Sequence, residues 1–547
     1  MKKYIIISLA LVASLFATSC IKETFPTDVA TKEQIGKSAS ALEASVRGIP
    51  SQLVQGYLIY GGQEYEFDMA YPGIMIMLDS AAGEIVDNGN TGYDWYSYWT
   101  CGLSCGEKSP VPYVPFRSFY MFIKSANDVI SAVDPENATA LQLKFLGQAY
   151  AYRAHIYLDM VRIYEPKQTT DTQNIQNYEI DSKLFGLTIP LVTEKTTVEQ
   201  AKANPRATVD QVYELIFSDL DNAVKYLEGT DKPAITYPSL AVVYGLLARA
   251  YLERGSAGVD GAFAKAAEYA DKAITTFGGS PLTQDQWENP QTGFNSSSAN
   301  SNSWMWALQY SAETMGNLCN FVAHMSGEET WTSYGWRVGR GISRARYESI
   351  PDTDWRKHSW IDPAGRDYYN YKVNRDVFDA EGKPLNPYSN LKFRPASGDY
   401  ATYKVGGASE VPLMRIEEMY LIKAEGLAMS GNLAEAKVVL NSLIQTRDVA
   451  YDCSQLKTAE IFQKEVYNQK RIELWGEGLV FFDAKRLAAG IHNGYKGTNS
   501  QSGYAFNCEG ICPWWNWVIP QTEIDNNPAL QGFNNPDPTT TVKEWVE

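Results

Sequence analysis

Apolar residues recur along most of the chain at spacings of three and four, the period of a helix with one buried face. The pattern comes in blocks at roughly 34–58, 116–133, 138–165, 208–228, 237–254, 261–277, 413–430, 432–447 and 458–488. Between 278 and 411 it changes: Gly, Pro, Asn, Ser, Trp and Tyr dominate, which reads as loops with short strands. One such strand is expected around Trp304-Met305-Trp306, with the two tryptophans as packing groups. Residues 489–547 are again irregular and carry Pro513, Pro520, Pro528, Pro536 and Pro538.

A spacing repeats within the helical blocks. Tyr150, Ala154 and Tyr157 are separated by four and three residues, as are Tyr244, Ala248 and Tyr251, and Tyr420, Ala424 and Leu427. Each trio falls on one helical stripe, and the small central Ala lets a second helix approach closely. Matching stripes follow at Ile216-Leu220-Ala223, Ala266-Ala270-Ala273 and Ala436-Leu440-Leu443. This is the helix-pair grammar of a tetratricopeptide repeat carrying insertions. The expected fold is mainly α: a scaffold of tetratricopeptide-type helix pairs with an irregular, loop-rich face and few short strands.

The N-terminus has its own logic. Lys2 and Lys3 precede an apolar run over 4–16, too short for a stable span of the bilayer but suited to a signal peptide. Ala17-Thr18-Ser19-Cys20 then resembles a bacterial lipobox, with cleavage before Cys20 and lipid added to its sulfur. The expected organisation is therefore a signal peptide over 1–19, a lipidated tether over 20–33 and a single large domain over 34–547. A lipid anchor would hold the chain to a membrane while the polypeptide itself stays in water.

The composition narrows the function. Among 547 residues, Lys and Arg total 48 against 64 Asp and Glu, and removal of 1–19 takes the net charge from −16 to −18. Such a chain should repel nucleic acid, whose binding rests on neutralising phosphates. Aromatic residues make up 13%, with 35 Tyr and 14 Trp, more than a core alone requires. Two C-x₃-C pairs, Cys101/Cys105 and Cys508/Cys512, have a spacing that zinc would accept. An exported chain sits where thiols oxidise, however, and no His accompanies either pair, so local disulfides or thiols are expected rather than a metal. Gly102-Leu103-Ser104-Cys105-Gly106 matches the nucleophile elbow, but Pro110 and Pro112 follow where that motif needs a helix. His155, His324, His358 and His492 show no ligand spacing. No cofactor and no catalytic group is expected.

Five segments in order resemble the SusD/RagB family of Bacteroidetes outer-membrane lipoproteins. They are Phe145 to Tyr164 with the Gly186-to-Pro190 loop; Pro205 to Tyr213 with Asp219-Leu220 and Ala223; Pro412 to Glu425; Arg471 to Arg486; and Ile519-Pro520 with Glu523-Ile524, Asn527-Pro528 and Leu530. Gln531-Gly532-Phe533 departs from the family's usual turn. The resemblance implies a SusD-like domain with an N-terminal half over 34–277, a loop-rich ligand face over 278–411 and a C-terminal half over 412–547. It implies a surface protein that captures glycan and acts as lid on a SusC-like TonB-dependent transporter. An oligopeptide importer and a surface glycoside hydrolase are the alternatives; the latter needs two carboxylates about 5–10 Å apart across a sugar. Arg415, Glu417, Glu425, Arg471, Glu473 and Glu477 are expected to form ion pairs that hold helices in register.

The ligand site is expected where rings cluster outside the repeat. Tyr93, Trp95, Tyr96, Tyr98 and Trp99 crowd one Gly/Asn-rich stretch, and Trp331, Tyr334 and Trp336 another. Sugar rings have flat C–H faces edged by hydroxyls; Trp and Tyr stack on the faces while Asn, Asp and Arg bind the edges. Trp95, Trp99, Trp331, Tyr334 and Trp336 are the expected platforms, with Asn90, Asp94 and Arg337 as hydroxyl partners. In SusD-like proteins the corresponding regions meet on one exposed face.

Overall fold

Helices begin where the sequence supplies a cap. Thr139 and Thr208 each accept a hydrogen bond from the backbone three residues on, while Gln142 and Gln211 reach back to the cap N–H. That reciprocal arrangement satisfies donors a helix start otherwise leaves orphaned. The computed structural model describes residues 38–56, 58–59, 65–88, 95–289, 293–314, 320–332, 334, 338–365, 386–543 and 545. Its principal helices are α1 (Ala39–Val54), α2 (Ala70–Ala81), α3 (Pro110–Ala132), α4 (Ala140–Tyr164), α5 (Val209–Leu227), α6 (Leu240–Ser256), α7 (Ala262–Phe277), α8 (Ile416–Met429), α9 (Leu433–Ile444), α10 (Ala459–Glu473), α11 (Val480–Arg486) and α12 (Gln521–Asn526). Three two-stranded antiparallel sheets join distant segments: β1 (Val86–Asp87) with β3 (Arg340–Gly341), β2 (Trp304–Leu308) with β4 (Val411–Arg415), and β5 (Ile491–His492) with β6 (Asn507–Cys508).

The repeated stripes pack as the spacing requires. α4 lies on α5, α6 on α7, and α8 on both α7 and α9. Ala154, Ala248, Ala424, Ala266, Ala270 and Ala273 are all buried at these seams. At Gly426 on α8, a Cβ would come within 2.6 Å of the Phe263 carbonyl oxygen at the start of α7, so glycine is what permits the approach. Trp304 and Trp306 are buried on β2, and Trp514, Trp515 and Trp517 are core. The indole N–H groups of Trp514 and Trp515 both donate to the Ala81 carbonyl, at 3.0 and 2.7 Å, closing the end of α2.

Four local expectations change. α2 gave no periodic signal because all twelve of its residues are buried, and a helix apolar on every side has no polar face to reveal it. Pro110 does open a helix: Ser109 caps α3, and proline at the first position lacks only an N–H that would have been orphaned. Residues 411–415 extend as β4 before α8 begins, because they pair with β2. The block over 458–488 breaks into α10 and α11 where Gly476 and Gly478 take φ of 78° and 70°.

The expected disulfides are not formed. Cys105, Cys508 and Cys512 are buried thiols, so neither Cys101–Cys105 nor Cys508–Cys512 is bridged. Burial raises the Cys105 and Cys512 thiols well above their ordinary range, which keeps them protonated and unreactive. Cys20 and residues 1–33 lie outside the described residues. At the other departure, Gly532 takes φ of 74° and Phe533 N–H donates to the Leu530 carbonyl at 2.9 Å, so the chain turns there.

The family-motif charges form a buried knot. Glu473, at the end of α10, meets Arg356 at 3.1 Å, Arg415 at 3.2 Å and Arg447 at 3.1 Å, all fully buried. Glu417 shares Arg415 and Arg447 and also accepts from Leu282 N–H and Ser303 hydroxyl, both at 2.7 Å. Glu477 pairs with Arg415 at 2.8 Å and Lys392 at 2.6 Å. A second knot ties Glu425 and Asp483 to Arg486 and Lys470. Arg471 pairs with Glu84, linking α10 to the end of α2. Surrounding guanidinium groups hold the Glu473 carboxyl far below the usual carboxylate range despite its burial.

Two predictions follow from these buried groups. Glu473→Ala leaves three arginines facing one another without their common anion, and should lower unfolding free energy in urea by about 3–5 kcal/mol; a change within experimental error would refute the anchoring role. Asp79 is fully buried, and burial pushes its carboxyl up to about 8, against the pull of the Gly478 N–H. A raised acid binds its proton in the folded state while the unfolded chain releases it, so this group's contribution to stability falls as pH rises from about 4 to about 8. Asp79→Asn should flatten that slope; a stability difference between the two proteins that is constant across the window would show the carboxyl is not proton-bearing.

Candidate functional site

The two aromatic stretches grow from one root. β1 and β3 pair antiparallel with Val86 opposite Gly341 and Asp87 opposite Arg340. Beyond this pair the Asn88 side-chain amide donates to the Gly339 carbonyl at 3.0 Å and to the Pro387 carbonyl at 3.1 Å. The first aromatic stretch leaves from Asn88 and the second returns through Gly339, so segments about 250 residues apart in sequence start side by side. Gly341 sits against the Tyr388 carbonyl, where a Cβ would come within 1.9 Å, so only glycine lets the third segment close on this root.

Above the root one ring from each stretch meets His324. Residues Trp95–Thr100 form one 3-10 turn, and Tyr96 is buried with its edge toward His324, ring centres 5.0 Å apart. Tyr334 stacks on the same imidazole at 4.3 Å and 28°. His324 is fully buried on the short helix Phe321–Met325; Arg340 donates to its carbonyl at 2.8 Å and faces its Nδ1 at 3.2 Å. Burial, then the Arg340 charge, pushes His324 well below its ordinary range, so it is a neutral spacer between rings. Arg340 also lies over the Tyr96 ring at 5.5 Å.

The expected platforms divide accordingly. Trp95 is half-buried, propped against Phe67 at 5.1 Å and edge-on to Tyr98 at 5.5 Å. Trp331 and Tyr334 are likewise half-buried; Trp331 lies over Gly406, where a Cβ would come within 2.8 Å of its ring. Trp99 does not belong with them. It is 1% exposed and packs on Trp517 at 4.0 Å, because its position one full 3-10 turn after the buried Tyr96 puts it on the same inner face. Asn90, Asp94, Trp336 and Arg337 lie outside the described residues. Sequence reasoning missed His324 and Arg340; neither sits in an aromatic cluster, and only the β1–β3 pairing brings them there. Ser104 follows a 3-10 turn rather than the strand a nucleophile elbow needs.

A cleft of about 270 Å³ opens beside the Trp331 segment. The two are joined where Thr330 N–H donates to the Tyr400 carbonyl at 2.9 Å and where Arg394, on the cleft wall, pairs with Glu328. Its other polar walls include Asn295, Ser296, Tyr310 and Glu410. Half-buried rings next to amide, hydroxyl and carboxylate groups suit a ligand with flat apolar faces and hydroxyl edges. Among the described residues no group of three or more His, Cys, Asp or Glu is placed to hold a metal.

Two family models match successive parts of the chain: one described as starch-binding associating with outer membrane over 68–252, the other as the SusD family over 328–537. SusD-like protein P38 of Formosa agariphila is 20% identical over 414 residues, 69% of this chain and 73% of its own. A SusD-like carbohydrate binding protein from Bacteroides vulgatus superposes with a TM-score of 0.69 at 20% identity, over 91% of this chain and 98% of that one. A SusD superfamily protein from Bacteroides thetaiotaomicron gives 0.68 at 21% identity, over 91% and 100%. Together the two family models, both of SusD type, match most of the chain's length: the chain belongs to the SusD family.

Proposed function

We propose that this protein is a cell-surface glycan-binding lipoprotein that captures oligo- or polysaccharide and hands it to a SusC-like TonB-dependent transporter, acting as its lid. Binding occurs without bond breaking. The observation that carries the reading is the shared root of the two aromatic stretches, from which Tyr96 and Tyr334 meet one buried histidine while Trp95, Trp331 and Tyr334 stay half-buried. Asn90, Asp94, Trp336 and Arg337 stand in the same two stretches and are proposed as further contacts. The starch-binding description of one matching family model and the carbohydrate binding of the Bacteroides vulgatus relative point to the same ligand class.

The attachment is proposed to be the lipid on Cys20. No helix among the described residues is long and apolar enough to cross a membrane; the lipobox-like Ala17-Thr18-Ser19-Cys20 supports the anchor. Cys20→Ala should move the protein from the membrane fraction to the soluble one; a variant still sedimenting with outer membranes would count against the anchor.

The decisive test is a binding screen of purified protein against starch, plant, host and microbial glycans, with reducing-end release measured in parallel. Retention by one glycan without product supports a binder, product formation would make it a hydrolase, and uptake confined to oligopeptides would replace the ligand class. Trp95→Ala and Trp331→Ala should each weaken binding about 5- to 150-fold, a loss of roughly 1–3 kcal/mol, with Tm little changed. Trp99→Ala should do the reverse and destabilise by about 3–5 kcal/mol, because it empties a core position. Full-strength binding by both of the first two variants would put the site elsewhere.

A further inference from the structure

A cavity of about 580 Å³ lies on none of the aromatic stretches. It is a seam between the first half of α3, the loop at 190–204 and α12, within the roughly 300–1,000 Å³ of small-molecule sites. The rings of Tyr113, Phe116 and Tyr120 line one wall. Glu523, Asn526 and Asn527, in α12 and just after it, line the cavity too.

The seam is held rigidly. Tyr120 hydroxyl donates to the Pro190 carbonyl at 2.7 Å, the Asn204 amide to the Leu191 carbonyl at 2.8 Å, and the Asn527 amide to the Asn204 carbonyl at 2.7 Å. This arrangement leaves one buried acceptor in want of a donor. Asn527 is 2% exposed, yet its Oδ1 receives no hydrogen bond within the described residues. A buried amide oxygen without a donor is costly unless something else supplies one. Glu523 beside it takes a hydrogen bond from the Asn527 side chain but forms no ion pair among the described residues, and Arg117 donates to the Tyr113 hydroxyl at 2.5 Å. Burial raises the Glu523 carboxyl, while the Asn527 side chain and the Arg117 charge pull it down.

The groove continues past Asn204. That residue also borders a second concavity of about 450 Å³, edged by Thr193, Lys195, Thr196 and Gln200. A ligand for the combined groove must offer a flat apolar face to the rings, hydroxyl donors to Asn527 and Glu523, and a second polar unit beyond Asn204.

We propose that this seam is a second glycan-binding groove, taking at least two linked sugar units, separate from the aromatic stretches. It rests on the glycan reading of the protein but not on where that reading places the first site. Maltose is the probe, since one matching family model is described as starch-binding. Crystals of the mature protein soaked with maltose should show a sugar ring against Tyr113 with hydroxyls at Glu523 and Asn527. In calorimetry, Tyr113→Ala and Glu523→Gln should each weaken one class of maltose sites about 5- to 150-fold, leaving the class that Trp331→Ala affects unchanged. Both residues are only partly buried, and Glu523→Gln preserves shape, so loss of fold does not confuse the result. Maltose at the aromatic stretches alone, or variants that titrate like the parent, would overturn the groove while sparing the first site. Maltose in neither place would overturn both. Tetramethylammonium occupying the seam in place of sugar would overturn the ligand class.

Discussion

The fold turns on a buried carboxylate that three arginines share. Glu473 closes α10, Arg415 joins β4 to α8, Arg447 follows α9, and Arg356 comes from the loop-rich region, so one side chain fixes four separate segments. A charge this deep is tolerable only because its partners neutralise it from several sides. The arrangement sets geometry rather than adding much net stability, since charges taken from water repay their desolvation through contact alone. It also welds the loop-rich segment to the helical scaffold: Lys392 reaches Glu477 and the carbonyls of Glu473 and Trp475. Whatever the loops do, they do from a fixed base.

On that base the helix pairs use small residues where they meet and place rings where they part. Ala248 and Ala424 let helices close, while Tyr251 and Tyr269 stack at 5.5 Å across the outer edge of α6 and α7. The aromatic excess in the composition therefore has several destinations. Some rings are core, as Trp99 and Trp517 are; some are helix edging; a few stand half-buried at the β1–β3 root. Ring density alone does not separate these fates, because a tryptophan contributes as much area to a core as to a binding face.

Much of the scaffold was legible in the sequence. The four-and-three spacing located α4, α6 and α8, and the motif charges pointed to buried pairs, because periodicity and local order are properties of contiguous residues. What escaped was non-contiguous. α2 is buried all round and shows no stripe. Tyr96 and Trp99 stand three residues apart on the same turn, and only tertiary packing decides that one meets His324 and the other Trp517. His324 and Arg340 lie in unremarkable sequence, and the seam holding Asn527 is composed of three segments, each explicable as packing. The C-x₃-C spacing suggested bridges, whereas Cys105, Cys508 and Cys512 stand as buried thiols.

The pairing of Asn88 with Gly339 has a kinetic meaning. Contacts between residues so far apart in sequence close only after the intervening chain has been drawn in, since loop entropy opposes them until other contacts share the ordering. The helix pairs between them, local in sequence, have no such delay. The face that would meet ligand is thus assembled late, on a scaffold already set. A chain that stalled part-way through folding would display helices without the joined β1–β3 root, so helix content would overstate how much of that face had formed.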